Sequence, residues 1–201
     1  MKKAFMLSLF VLFGVSATFA QSMVMVGGQD MSPKKDIVDN AVNSADHTTL
    51  VAAVKAAGLV ETLKSDGPFT VFAPTNDAFE NLPKGTVKKL LKPKNKQKLA
   101  KILTYHVVPG NITYDAAADA IENGGGKAEL KTASGGTLTA MWNGEHNIVI
   151  KDGNGNVANI STYDVAQSNG VIHVIDSVLL PADKMKKDKM MKDDKMMDKD
   201  S

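Results

Sequence analysis

Half-way along the chain the hydrophobic period changes, and this constrains the possible folds more than any other feature. In "HTTLVAAVKAAGLVETL", Leu50, Val54 and Ala57 recur at i, i+4 and i+7 with Val51 beside them. That is one apolar face of a helix. Gly58 stands where such a helix stops, and Leu59 to Leu63 start another short turn. Later, "AELKTASGGTLTAMWNGEHNIVIKDGNGNVANISTYDV" reads as short strands cut by Gly-Gly, Asn-Gly and Asp-Gly-Asn-Gly. This is the punctuation of antiparallel hairpins. "GVIHVIDSVLL" follows as a last, largely buried strand. Helices come first and a mostly antiparallel sheet second, so the sequence predicts an α+β fold.

Between these halves, "KGTVKKLLKPKNKQKLAKILTYHVVPG" predicts a short helix, a break at Pro93 and a second helix. Leu99, Ile102 and Leu103 form its inward stripe and the lysines its solvated face. It should pass into a strand around 105–108, ended by Pro109-Gly110.

The 201 residues favour one domain with appendages. Lys2 and Lys3 precede the apolar run "AFMLSLFVLFGV", and small residues end in "SATFA". This is the pattern of a secretory signal peptide over 1–20, cleaved near Ala20. The run is shorter than the roughly 20 residues that span a bilayer, and no later segment approaches that length. The mature chain is therefore expected without a membrane span, secreted or periplasmic. Residues 21–35 read as a flexible leader and 36–182 as the folded domain. The end, 183–201, reads as a disordered Lys/Met/Asp-rich tail, because its charges nearly balance and its methionines follow no helical or strand stripe.

The chain has no cysteine, which removes disulfides and thiol chemistry. Loss of Lys2 and Lys3 with the leader leaves 22 basic residues against 22 acidic ones. Every basic residue is lysine, so the bidentate fork that reads phosphate and guanine is missing. Nucleic acid is not an expected partner.

The stretch "FTVFAPTNDAF" holds Thr75, Asn76 and Asp77 directly after Pro74. A reactive carboxylate there needs a second group within hydrogen-bond reach, and the neighbouring sequence offers none. A structural role accounts for each residue. Pro74 ends the strand, Thr75 caps the helix that follows, and Asp77 sits at the positive end of its dipole. On that reading Asp77→Ala costs about 1 kcal/mol and abolishes no chemistry.

Of the histidines, His173 shares a strand face with Val171 and Ile175, the setting of a hydrogen-bonded core residue. His106 follows Tyr105 at a helix end between apolar neighbours. Zinc sites use tight spacings such as His-x-x-x-His, and His47, His106, His146 and His173 show none. There is also no Gly-x-Ser-x-Gly elbow. "GGGK" at 124–127 lacks the spacing of a phosphate loop and reads as a flexible connection. No enzyme and no cofactor are expected. Asn111 and Asn159 open Asn-x-Ser/Thr sequons. The one chemical alternative lies in the tail, where Met185, Met190, Met191, Met196 and Met197 offer soft thioether sulfur for Cu(I) or Ag(I). Met23 and Met25 could add to it.

Three separated segments resemble one family. "FTVFAPTNDAF" resembles the first conserved box of the fasciclin (FAS1) domain, "ILTYHVVPG" its Tyr-His box, and "NGVIHVIDSVLLP" its second box. The region before the first box is similar as well, so the resemblance runs from about Asp36 to Ala182. It implies a wedge of β-strands packed with several helices. It also implies a non-enzymatic role in cell adhesion, surface attachment or matrix and biofilm contact, with a protein or polysaccharide of the cell surface as partner. In animal members the Tyr-His segment is associated with receptor contact, which points to Tyr105 and His106 here. The alternative is a periplasmic carrier of a ligand or soft metal, using the tail or a pocket near Tyr105.

Overall fold

Asp36 opens the helical half as an N-cap, its carboxylate accepting from Asp39 N at 2.8 Å. Helix α1 (Ile37–Ala41) follows, then α2 (Thr48–Ala57), which Gly58 ends, and α3 (Val60–Lys64). The computed structural model describes residues 23–182. The signal peptide expected over 1–20 and the tail over 183–201, with Met185, Met190, Met191, Met196 and Met197, lie outside the described residues.

The expected flexible leader is not what the structure has from residue 23 onward. Strands β1 (Val24–Val26) and β2 (Gln29–Met31) form an antiparallel hairpin. Val26 and Met31 are buried in one cluster with Ile37, Val38 and Leu50. Each strand is three residues long, too short to register as a period, yet alternation still turns one side of the hairpin into the core. Met23 and Met25 are exposed.

Strand β3 (Phe69–Pro74) leads into α4 (Asn76–Glu80) and α5 (Thr86–Leu90). A 3₁₀ turn at Pro93–Asn95 precedes α6 (Lys96–Tyr105), whose Leu99, Ile102 and Leu103 are buried as the stripe predicts. β4 is Val107–Pro109. The expected strand thus starts later than 105, because the helix holds through Tyr105 and His106 is its C-cap. A helix that the sequence reading did not assign, α7 (Tyr114–Asn123), comes next. Thr113 caps it by accepting from Ala116 N at 3.3 Å. The glycines after it form a hydrogen-bonded turn, Gly126 N donating to Ile121 O at 2.9 Å. A fixed helix end therefore replaces the expected flexible connection.

The remaining strands are β5 (Lys127–Lys131), β6 (Thr137–Trp142), β7 (Ile148–Lys151), β8 (Val157–Gln167) and β9 (Gly170–Ile175). They join one seven-stranded sheet in the order β4-β3-β9-β8-β7-β6-β5. All neighbours are antiparallel except β3 and β9. The last strand therefore lands beside the first strand of the sheet and ties the two halves together. Parallel pairs are covered on both faces, and this one is. Val71, Ala73, Ile172 and Val174 meet the helices α1, α2, α4 and α6. Phe72 and Ile175 meet a second cluster built from β5 to β8, α7 and Tyr105.

Candidate functional site

Tyr105 and His106 sit where α6 turns into β4, and both are inside the molecule, 1% and 2% exposed. The Tyr105 hydroxyl donates to Thr137 O at 2.7 Å and accepts from Gly153 N at 2.8 Å. It thereby fastens the end of α6 to the start of the strand at Thr137–Trp142 and to the turn that holds Gly153. His106 Nδ1 lies 2.8 Å from Ile102 O, and Leu179 N donates to Nε2 at 2.9 Å. A carbonyl needs a donor and an amide needs an acceptor, so the ring is neutral with its proton on Nδ1. Burial pushes its pKa down to about 4, against weaker upward pulls from the Ile102 carbonyl and Asp152. The pair nominated for partner contact thus offers almost no side-chain surface, and each of its side-chain polar atoms is already bonded to the backbone.

Thr75 caps α4, accepting from Ala78 N at 3.3 Å. Asp77 lies in the first turn of α4. The larger role falls to Asn76, and it reaches beyond its own helix. Its Oδ1 accepts from Thr49 N at 2.9 Å and Thr48 Oγ1 at 3.1 Å, while Nδ2 donates to Ala45 O at 2.9 Å. Helix α2 has no side-chain cap from its own flank, so Asn76 caps it from 27 residues away. Asn76→Ala is therefore expected to cost about 2 kcal/mol, and Asp77→Ala about half of that or less. Urea unfolding of the two variants checks the order, and an equal loss would discard the cross-helix cap.

His173, on β9, faces the second cluster as its neighbours Val171 and Ile175 suggested. Its Nε2 lies 2.8 Å from Ile112 O, and Asp164 N donates to Nδ1 at 3.3 Å. This ring is also neutral, with the opposite tautomer to His106. Phe72 stacks on it with ring centroids 5.7 Å apart. Burial lowers its pKa, opposed by the Ile112 carbonyl and Asp164. His47 is the third buried imidazole, its Nδ1 2.8 Å from Ser44 Oγ, and its pKa is lowered by burial against the Ala73 backbone and Asp46. The rings of His106 and His173 are held by separate backbone groups. Among the described residues no group of three or more His, Asp or Glu is arranged to hold a metal.

The surface supplies what the nominated residues do not. A cleft of about 600 Å³ opens between the β8–β9 turn and the start of α7. Asp66, Asn111, Thr113, Asp115, Asp164 and Ser168 line it, a wall rich in hydrogen-bond acceptors. Asp164 is fixed there because its Oδ1 accepts from Tyr114 N at 2.8 Å. These residues come from three distant segments, so no local spacing in the sequence marks them. Asn111 of the first sequon lines this cleft; Asn159 of the second donates to Asp176 Oδ2 at 2.7 Å.

Comparison with known proteins bears on both the fold and these boxes. The Fasciclin domain profile matches residues 45–181, more than half of the chain. This chain belongs to the fasciclin-domain family. It is 53% identical over 147 residues to protein sll1483 of Synechocystis, a match covering 72% of this chain and 73% of that protein. It is 36% identical over 154 residues to transforming growth factor-beta-induced protein ig-h3 of Sus scrofa, covering 74% of this chain and 20% of that one. Among solved structures, a FAS1 domain pair from the insect cell adhesion molecule Fasciclin I superposes with a TM-score of 0.65 at 20% identity, over 73% of this chain and 51% of that chain. At that identity the likeness concerns the fold, and the α+β wedge expected from the sequence is the fold found. Within the fasciclin domain the first box supplies β3 and its caps, the Tyr-His box the α6–β4 junction, and the second box β9. No helix among the described residues is long and apolar enough to cross a membrane.

Proposed function

We propose that this fasciclin domain is an exported, non-enzymatic interaction module that engages a polymer of the cell surface or matrix. The observation that carries this reading is the 600 Å³ cleft with its acceptor-lined wall. Ligand sites commonly fall in the range of about 300–1,000 Å³. Carboxylate and amide oxygens suit a polyhydroxylated chain, whose O–H groups are donors. The solved relative Fasciclin I is an insect cell adhesion molecule, which supports the same class of function. Secretion through a leader ending near Ala20 belongs to this proposal. The tail over 183–201 adds a second contact, since one small interface is weak and a second raises avidity.

The test is retention of the full chain on columns of envelope polysaccharide and of matrix protein. Asp66→Ala with Asp115→Ala, both exposed, is expected to lower retention about tenfold at an unchanged melting temperature. Retention that ignores both substitutions would remove the cleft from the reading, and a full chain retained by neither material would remove the reading itself. Deleting 183–201 measures the share of the tail, and unchanged retention would assign the whole contact to the domain.

A further inference from the structure

On the helical side lies a pocket of opposite character. Helices α1, α2 and α3 and the end of α6 meet over β3 and leave a space of about 90 Å³ between them. A single water needs about 10–15 Å³ of such space, and packed interiors leave few voids larger than that. The floor is buried carbon from Leu50, Val54, Leu63, Val71 and Leu103. The rim is half-buried Val51, Leu59, Val60 and Phe69.

Apart from the exposed Thr62 and Lys55, the polar side chains in this wall are already engaged. Both His106 nitrogens are bonded to the backbone, and Thr104 Oγ1 donates to Ala100 O at 2.8 Å. A buried water wants about three hydrogen bonds, and the floor offers none. Only hydrocarbon gains from entering, at about 25 cal/mol per Å² of apolar surface removed from water. The rim, however, carries charge. Lys55 lines the pocket and is exposed, so its stem lies against carbon while its ammonium faces solvent. Among the described residues no ion pair engages it, whereas Lys64 at the α3 edge is held by Asp36 at 3.1 Å and Asp39 at 2.5 Å. Lys96 adds a second ammonium beside Gly58, at the end of α2.

The geometry points to a binding site for a small anionic amphiphile, its short hydrocarbon chain in the pocket and its carboxylate against Lys55. A peptide suits the site less well, because its backbone N–H and C=O groups would meet a carbon rim without partners. This site is separate from the acidic cleft, which faces away in chemistry and lies on other elements. It adds a carrier function to the adhesive one.

Calorimetric titration of the full chain with octanoate and with heptyltrimethylammonium, which carry the same heptyl chain on opposite heads, tests it. Saturable one-to-one uptake of octanoate and weaker uptake of the cation are expected. Val51→Trp fills the rim and is expected to lower octanoate affinity about tenfold or more. Lys55→Glu is expected to lower it about fivefold and to reverse the preference between the two heads. If Val51→Trp loses its cooperative melting transition, Val60→Trp on the opposite rim takes its place. No saturable uptake of octanoate, undiminished uptake in a folded rim-filled variant, or equal affinity for both heads with and without Lys55 would each overturn the assignment. Column retention plays no part in this readout, so failure here leaves the interaction reading standing.

Discussion

Gly170→Ala is expected to destabilise the domain by about 4 kcal/mol, or to prevent folding altogether. Gly170 opens β9 with φ +155°, and an added Cβ would lie 2.0 Å from Phe69 O and 2.8 Å from Phe69 N. The obstacle is backbone, so no side-chain rotation relieves it. Phe69 and Gly170 are also the first pair of the parallel β3–β9 ladder. Relief therefore means moving β9 away from β3, which opens the clusters on both faces of the sheet. Gly144→Ala is the control: its φ is +83°, but nothing lies within 4 Å of the added carbon. Only backbone strain acts there, at about 1 kcal/mol. Denaturant unfolding of both variants checks the difference, and equal losses would show that the close approach of the two strands does not matter.

Acid is expected to weaken the fold well above the carboxylate range. His106 has an ordinary pKa of 6.5 when unfolded and about 4 when folded, because burial disfavours its charged form. Above pH 6.5 both states hold the neutral ring, and the full stability is present. As pH falls from 6.5 towards 4, the unfolded chain binds a proton that the folded chain refuses. Stability is lost across that window, amounting to about 3 kcal/mol at pH 4 from His106 alone. His173 and His47 are lowered for the same first reason, burial, and act in the same direction. The charges of Asp152 on His106, Asp164 on His173 and Asp46 on His47 oppose the shift but do not cancel it. Asp36 acts at lower pH. Burial raises its pKa, but the Asp39 amide and Lys64 outweigh this and hold it below 3.8, so its share is lost only as pH falls past that value. Urea midpoints at pH 7, 5.5 and 4.5 should fall steadily, and His106→Gln should be less stable at pH 7 but lose less on acidification. Midpoints that stay level from pH 7 to 4.5 would contradict the buried, neutral imidazoles.

How much of this was legible before the structure depends on the range of each signal. The stripe Leu99, Ile102, Leu103 and the face Leu50, Val54, Ala57 are local patterns, and all six residues are buried. Pro74 and Thr75 gave the strand end and the α4 cap for the same reason. The hairpin at Val24–Met31 escaped because three-residue strands carry too little alternation to be seen. Helix α7 escaped because its buried side consists of Ala117 and Ile121 alone, so its stripe is faint, although Thr113 is a capping residue in plain view. Asn76 looked like one polar residue among three. Its importance comes from Thr48, Thr49 and Ala45, which only the packing of α2 on α4 brings within reach.

Hydrophobic period, turn residues and the three boxes are written within short windows, so the class of fold, the order of its halves and the family could be read along the chain. Tertiary structure alone decided what the box residues do. Tyr105, His106 and His173 have the chemistry of a site, and nothing local shows that each of their polar atoms is taken by a backbone group from 4 to 73 residues away. The two openings in the surface were decided there too. The acceptor-lined cleft and the carbon-lined pocket are each assembled from segments that meet only when β9 pairs with β3 and the helices close over it, and a hydrogen bond or a cavity between distant segments leaves no period in the chain.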